Sequence, residues 1–278
     1  IMISSEDSAE IVRRAYEMGV SDYINRPFDA GVVHRRVYNT IKLYAKQRRL
    51  ITLITNQVYE KEKNNRMMVG ILSQIVEFRN GESGSHVLNI NIFTGMLLES
   101  LVQKTDKYNI TWSERLLITT ASALHDIGKI GIDEAILNKP GKLTAEEFAV
   151  IKTHSMLGAE MLQKTESFAD QPLLQTAYEI ARWHHERWDG RGYPRGIQGE
   201  EIPLSARCLS IADAFDAMIT DRPYRKGLPV EYAIQQLREG AGRQFDPQLA
   251  PVFAQMVEER QIPLAVDRGR GRRRDESL

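Results

Sequence analysis

The sequence predicts a mainly α-helical protein with a short α/β segment at its N-terminal end. Three observations carry that expectation. Residues 66–262 place apolar side chains at helical spacing and hold no convincing alternating strand. Two capping boxes, Thr111 with Glu114 and Thr144 with Glu147, each open a helix. Residues 29–68 contain no Pro and, after Gly31, no Gly, which leaves a long helix uninterrupted.

Taken in order, Ile1-Met2-Ile3 reads as a short buried strand. A helix follows with Ile11, Val12, Ala15 and Met18 apolar and Gly19 as its stop. Residues 20–24 form a second strand, and Arg26-Pro27-Phe28 turns the chain into another helix. Two strands are too few for a stable sheet, so this piece needs further sequence or a partner to bury both faces. A chain that opens inside a strand is expected to be part of a longer protein. Along the long helix Val37, Ile41, Tyr44, Ile51 and Val58 recur at a spacing near 3.5, with Arg48 and Thr55 interrupting the seam. Such a seam pairs helices across a homodimer; the plainer alternative is a solvated linker with one stripe against its own domain. Met68, Ile71, Leu72, Ile75 and Phe78 form a further stripe. Asn80-Gly81-Glu82-Ser83-Gly84 interrupts it, and Val87, Ile90, Leu97, Leu98 and Leu101 resume it. Thr111 opens the helix that ends at His125-Asp126, and Thr144 the helix that carries His154. Asp246-Pro247 supplies an N-cap and a first-turn Pro ahead of Leu249, Val252, Phe253 and Met256. The basic stretch from Asp267 onward has Leu278 as its one large apolar residue and is expected to be disordered.

Composition narrows the function classes. With 37 basic and 37 acidic residues the net charge is zero, which argues against a nucleic-acid polymer or an anionic membrane as the general partner. A single cysteine, Cys208, excludes an intrachain disulfide and fits a reducing, cytoplasmic compartment. No apolar run approaches the roughly 20 residues of a membrane span, and the start is unlike a signal peptide.

The chemistry is concentrated in histidine. Five of the six histidines sit in metal-ligand contexts, most of them joined to acidic residues: Glu82-x3-His86, His125-Asp126, His154 and His184-His185-Glu186. Asp213 lies on an otherwise apolar helix, where a carboxylate is costly unless paired or metal-bound. Asp216, one turn on, is placed to support a ligand. Imidazole with carboxylate suits iron, manganese and zinc. His125 and Asp126 are adjacent at a helix end and suit two bonds to one ion, or a carboxylate shared by two. Gly128 frees the backbone there and Lys129 adds a cation. Each feature alone has an ordinary structural reading: a hydrogen-bonded pair, a core histidine, a helix end favouring cations. Together, with Asp221-Arg222-Pro223-Tyr224-Arg225-Lys226 downstream, they point to metal-assisted attack on a phosphate ester.

The order of these motifs, with Lys139-Pro140-Gly141-Lys142-Leu143-Thr144, Asp189-Gly190-x-Gly192-Tyr193-Pro194 and Ala212-Asp213-x-Phe215-Asp216-Ala217, resembles the HD-GYP family of cyclic di-GMP phosphodiesterases from about Met67 to Val257. The resemblance implies an all-α HD-type helical bundle. It places metal ligands at Glu82, His86, His125, Asp126, His154, His184, His185 and Asp213, holding two or three divalent ions. Iron or manganese is the first expectation, with zinc and nickel as alternatives. It implies catalytic roles for His125, Asp126 and Lys129. Arg222, Arg225, Lys129 and Tyr193 become substrate contacts, with Tyr193 stacking on guanine. Gly192 and Pro194 shape a loop that also offers a surface to a diguanylate cyclase or an adaptor. The implied reaction is hydrolysis of cyclic di-GMP to pGpG or GMP in bacterial signalling. The alternatives are an HD-type phosphohydrolase for another nucleotide, or a non-catalytic cyclic di-GMP receptor. Two departures stand out: residues 87–91 lack an Arg common there, and Asp133 stands where Pro is usual.

Residues 1–35 resemble the last third of a response-regulator receiver domain through Met2-Ile3-Ser4, Gly19-Val20-Ser21-Asp22-Tyr23-Ile24 and Arg26-Pro27-Phe28; the phospho-accepting aspartate would lie upstream. The implied organisation is a receiver remnant over 1–35, a linker helix over 36–65, the phosphodiesterase domain over 66–265 and a basic tail over 266–278.

Overall fold

The structure is a computed structural model that describes residues 1–5, 8–80, 85–166, 168–221 and 226–260. The chain divides into two compact units at Asn65 and Arg66.

In the first unit β1 (Met2–Ser4) pairs in parallel with β2 (Tyr23–Asn25), in the register Met2 to Tyr23 and Ile3 to Ile24. Helix α1 (Ala9–Glu17) crosses between them. Gly19, at φ 88°, takes the left-handed turn that ends it. Ala15, Tyr23 and Ile24 are buried, whereas Met2, Ile3, Ile11 and Tyr16 remain exposed. That open side is the consequence of having two strands. Helix α2 (Ala30–Arg79) is 50 residues long. Near its start Arg36 pairs with Asp22 at 2.8 Å, and the Tyr44 and Ser21 hydroxyls meet at 2.7 Å. Ile41, Tyr44, Ile51 and Val58 are each more than half exposed.

The second unit is all-α. Helices α3 (Ser85–Lys104), α4 (Trp112–Ser122), α8 (Pro172–Trp183) and α9 (Leu204–Ile219) form its body. Between them lie a 3-10 turn (Ile127–Gly131) and the short helices α5 (Glu134–Leu137), α6 (Ala145–Lys152) and α7 (His154–Gln163). Helices α10 (Val230–Gly240) and α11 (Leu249–Arg260) close one end. Both capping boxes form, at Thr111 and at Thr144. Asp246 Oδ1 accepts the Gln248 and Leu249 N–H groups and so starts α11.

Two apolar clusters hold the bundle. In one, Phe93, Phe215 and Phe253 meet edge to face with ring centroids 5.2–6.1 Å apart, a favoured aromatic geometry. The other gathers Ile90, Ala121, Leu124, Ile180 and Leu209.

Two expectations change. The stripe read through residues 68–101 parts at its interruption: Val87, Ile90, Leu97, Leu98 and Leu101 are buried, whereas Met68, Ile71, Leu72, Ile75 and Phe78 face outward, Phe78 at 88% exposure. The face of α2 that turns inward carries Val69, Ser73, Val76 and Glu77 instead. Helix end points also move. The chain leaves α4 at Ser122, so His125 and Asp126 lie in the turn beyond it. The helix opened by Thr144 stops at Lys152, and His154 begins the next one. Among the described residues no helix is long and apolar enough to cross a membrane.

Candidate metal centre

Buried imidazoles need their nitrogens satisfied, and here one nitrogen of each is tied to a neighbour while the other faces a common space. His125 Nδ1 lies 2.9 Å from Ser122 O, and His154 Nδ1 lies 2.7 Å from Ile151 O. His184 Nδ1 lies 3.0 Å from both Ile180 O and Ala181 O. These anchors are backbone carbonyls in or just beyond the last turns of α4, α6 and α8. A carbonyl partner at Nδ1 fixes the proton there and leaves Nε2 as the donor to a metal. His86 is anchored differently: its Nδ1 sits 2.6 Å from Asp216 Oδ2, and its Nε2 lies 3.6 Å from Asp213 Oδ1.

The donors fall into two groups. His86, His125 and Asp213 bring ligand atoms within 4.8 Å of one another, as do His154, His184 and His185. The Asp126 carboxylate stands between them. Its Oδ2 is 3.2 Å from His125 Nε2, and its Oδ1 is 3.3 Å from His154 Nε2 and 4.0 Å from His184 Nε2. Lys129 Nζ closes on Asp126 Oδ2 at 2.7 Å.

Electrostatics match. Burial opposes charge on Asp126, but Lys129 and His125 outweigh it and hold the carboxyl well below its usual range. Burial and the neighbouring His185 hold His184 well below the usual imidazole range, and burial lowers His154 against the pull of Asp126. Burial, then His154, takes His185 down to about 3. Burial works against protonation of His125 too, yet Asp126 raises it overall. The donor set is thus an ionised carboxylate beside three imidazoles, His154, His184 and His185, that burial keeps neutral, with the buried His125 Nε2 facing the same carboxylate. Divalent transition ions fit that chemistry.

Residues 63–249 match the HD domain family. The chain belongs to that family. It is 36% identical over 272 residues to a probable cyclic di-GMP phosphodiesterase of Vibrio cholerae, covering 93% of this chain and 60% of that protein. It is 32% identical over 272 residues to a cyclic di-GMP phosphodiesterase of Thermotoga maritima, covering 93% of this chain and 71% of that one. A solved cyclic GMP-AMP-specific phosphodiesterase from V. cholerae superposes with a TM-score of 0.50 at 19% identity, over 71% of this chain and 49% of that one, and shares the fold.

Around the HD domain's donors a second set of residues does the holding. Asp216, fully buried, takes His86 on Oδ2 and the Asn89 amide on Oδ1 at 2.7 Å. Asn91 Oδ1 accepts the Ser122 hydroxyl at 3.0 Å, beside the carbonyl that anchors His125. Asn89 and Asn91 come from the stretch that lacks the common Arg, and Asp133 caps α5 through the Ala135 N–H. Sequence reading named Asp216 but passed over both asparagines. Their signal was polar residues on a helix whose neighbours Val87, Ile90 and Phe93 are buried.

The glycine-rich loop after His185 is pinned from within. Glu186, 3% exposed, accepts the Arg195 and Gly196 N–H groups on Oε1. Tyr193 donates its N–H to His185 O at 3.2 Å and stacks its ring on His185, with centroids 4.7 Å apart. Lys152 Nζ lies 5.4 Å from the same ring. A Cβ on Gly192 would come within 2.4 Å of Arg187 N, so only glycine fits that crossing. Pro194 follows within the loop, partly buried. Glu82, Arg222 and Arg225 lie outside the described residues.

Proposed function

We propose that this chain hydrolyses the phosphodiester bonds of cyclic di-GMP to pGpG or GMP. The observation that carries the reading is the Asp126 carboxylate set between two histidine groups, within 3.3 Å of a ring nitrogen on each side. The names of the V. cholerae and T. maritima relatives support the substrate class. The chain spans 60% of the first and 71% of the second, so its own activity is a matter for direct test.

In this reading His86, His125 and Asp213 hold one divalent ion, with Glu82 as a further ligand, and His154, His184 and His185 hold another. Asp126 serves both. Two or three ions are proposed, iron or manganese first and zinc or nickel as alternatives. The chemistry supplied by ions held there is activation of water near neutral pH and neutralisation of phosphate charge. The remaining work falls to this chain's residues. Neutral imidazoles keep their Nε2 lone pairs available. Lys129 Nζ, held against Asp126, offers positive charge to the developing phosphate oxyanion or a proton to the departing ribose oxygen. Arg222 and Arg225 grip phosphate oxygens, a task suited to the bidentate guanidinium. Tyr193, whose ring stacks on His185, is assigned the stacking contact to a guanine base.

The same proposal includes a cytoplasmic homodimer joined through residues 36–65, where Ile41, Tyr44, Ile51 and Val58 are exposed at coiled-coil spacing. It treats residues 1–35 as the end of a receiver domain and residues 266–278 as a tail. It assigns the glycine-rich loop as the surface for a diguanylate cyclase or an adaptor.

The test is hydrolysis of cyclic di-GMP by the purified chain loaded anaerobically with Fe(II), and separately with Mn(II), with products resolved by chromatography. Turnover that disappears in Asp126→Ala supports the reading. Metal-loaded protein without turnover on cyclic di-GMP, but active on 3'3'-cGAMP or another nucleotide, replaces the substrate. That second substrate is favoured by a V. cholerae relative, 36% identical over 204 residues, that is named a 3'3'-cGAMP-specific phosphodiesterase. Tight binding without turnover on any nucleotide makes the domain a receptor.

A further inference from the structure

The inward face at the end of α2 supplies no side chain to either histidine group, yet it reaches the segments that do. Glu77 is 3% exposed, and its Oε1 accepts the Val87 N–H at 2.8 Å. That N–H belongs to the first turn of α3, directly after His86, where backbone donors lack helical partners and a carboxylate suits the positive helix end. Ser73 is 2% exposed, and its hydroxyl points at Ala123 O at 2.7 Å, just before His125. Beyond Asp126, the Arg79 guanidinium donates to Ile130 O and, at 2.8 Å, to Ile132 O. These two carbonyls flank the exit of the 3-10 turn that carries Lys129. Asn138 Nδ2 in turn donates to Arg79 O at 2.9 Å. Ser73, Glu77, Asn80, His86, His125 and Asp126 share the lining of one cavity of about 10 Å³, room for roughly one water.

We propose that the last turns of α2 are a positioning clamp, with Ser73 and Arg79 fixing the chain on either side of His125-Asp126 and Glu77 fixing the helix that carries His86. The proposal rests on the reading of the two histidine groups as metal sites. Its physical basis is tolerance. His86 and Asp126 arrive from different segments, and paired sites need their donors held within about 0.5 Å. One rigid helix that bonds to both segments sets the distance between them. Arg79 is suited to this by its fork of donors, which satisfies two carbonyls at once; Lys has no such fork. Partners of this outer kind are worth about 10–100-fold in metal affinity.

The experiment uses the full chain, stripped of metal and titrated with Mn(II), read by calorimetry and by electron paramagnetic resonance. Wild type is expected to bind at least two Mn(II) and to show the exchange-coupled spectrum of neighbouring ions. In Arg79→Met and Glu77→Ala, binding of one ion weakens by about tenfold or more, and the six-line signal of isolated Mn(II) replaces the coupled one. Glu77→Gln keeps an acceptor for the Val87 N–H and is expected to behave as wild type; Arg79→Lys is not expected to recover. A merely structural role would lower the melting temperature of the metal-free variants and leave the coupled spectrum intact, which overturns the clamp. If Arg79→Met does not fold, the contrast between Glu77→Ala and Glu77→Gln decides alone. Wild type that binds a single Mn(II), or none, overturns the metal reading itself and the clamp with it.

Discussion

Asp126 Oδ1 stands 3.3 Å from His154 Nε2, although all of α5 and α6 separates the two residues in sequence. The contact exists because the 3-10 turn after Asp126 packs directly on the start of α7. It makes one carboxylate common to both histidine groups. Asp126→Ala is therefore expected to empty both groups rather than one, and cyclic dinucleotide turnover should fall by more than about a hundredfold. His125→Ala removes a donor from one group only and should lose metal there, with turnover lost as well. Neither side chain belongs to the two apolar clusters, so the far-ultraviolet circular dichroism should be unchanged. Elemental analysis of the purified variants gives the answer, and full metal content in Asp126→Ala would remove the shared-carboxylate reading.

Asp216 predicts a subtler loss. It does not face the common space but holds His86 by Nδ1 and is itself held by Asn89 and Thr220. Asp216→Asn removes the charge that makes His86 a stronger donor, and metal affinity should drop about 10–100-fold with stoichiometry recoverable at high metal. Asn89→Ala should give a smaller loss in the same direction. Equal affinities in wild type and Asp216→Asn would show that the pair does no more than fill space.

These two residues mark the boundary of what the sequence makes legible. Helices could be read from period and caps, because Thr111, Thr144 and Asp246 signal their own helix starts locally. The histidines and Asp213 could be read because metal-ligand side chains are scarce and cluster by motif. What could not be read is contact between distant segments. Ser73, Glu77 and Arg79 reach residues 10 to 59 positions away, and hydrogen bonds at such separations leave no periodic trace. The outward turn of Met68, Ile71 and Phe78 was hidden for a related reason: residues 67–78 are apolar on both faces, and period alone does not say which face is inside.

Gly128 ties the fold to the site by its missing side chain. A Cβ there would lie 1.9 Å from His154 O and 2.4 Å from Gly158 N, both backbone atoms with little room to yield. Gly158 faces it, so two glycines let the 3-10 turn and α7 touch. Gly128→Ala must push α7 away and carry His154 with it. The expected cost is about 1–3 kcal/mol of stability, as for other overpacked sites, together with weakened metal binding. Gly131→Ala is the control, because its nearest contact is the flexible Leu157 side chain at 3.1 Å. Denaturant melts of both variants, with and without Mn(II), test the difference. A Gly128→Ala protein as stable as Gly131→Ala would mean that the approach of turn and helix is looser than it looks.

Removal of metal should expose an acid weakness. His154, His184 and His185 are held below the ordinary imidazole value of 6.5, His185 down to about 3, chiefly by burial. Between 6.5 and its lowered folded value each is neutral in the folded protein and protonated in the unfolded chain. The unfolded state then binds more protons, so stability falls as pH drops through 6.5 toward 3. His125, raised by Asp126 against its burial, works the other way: its contribution is present at low pH and lost as pH rises through its folded value. With three groups against one, the net slope should favour neutral over acidic solution. Chelator-treated protein should therefore unfold at lower urea at pH 5.5 than at pH 7.5, with Mn(II) restoring the midpoint at pH 7.5, where imidazole nitrogens are free to ligate. Identical midpoints at the two pH values in the metal-free state would mean that water reaches these rings and that their burial is not kept without the ions.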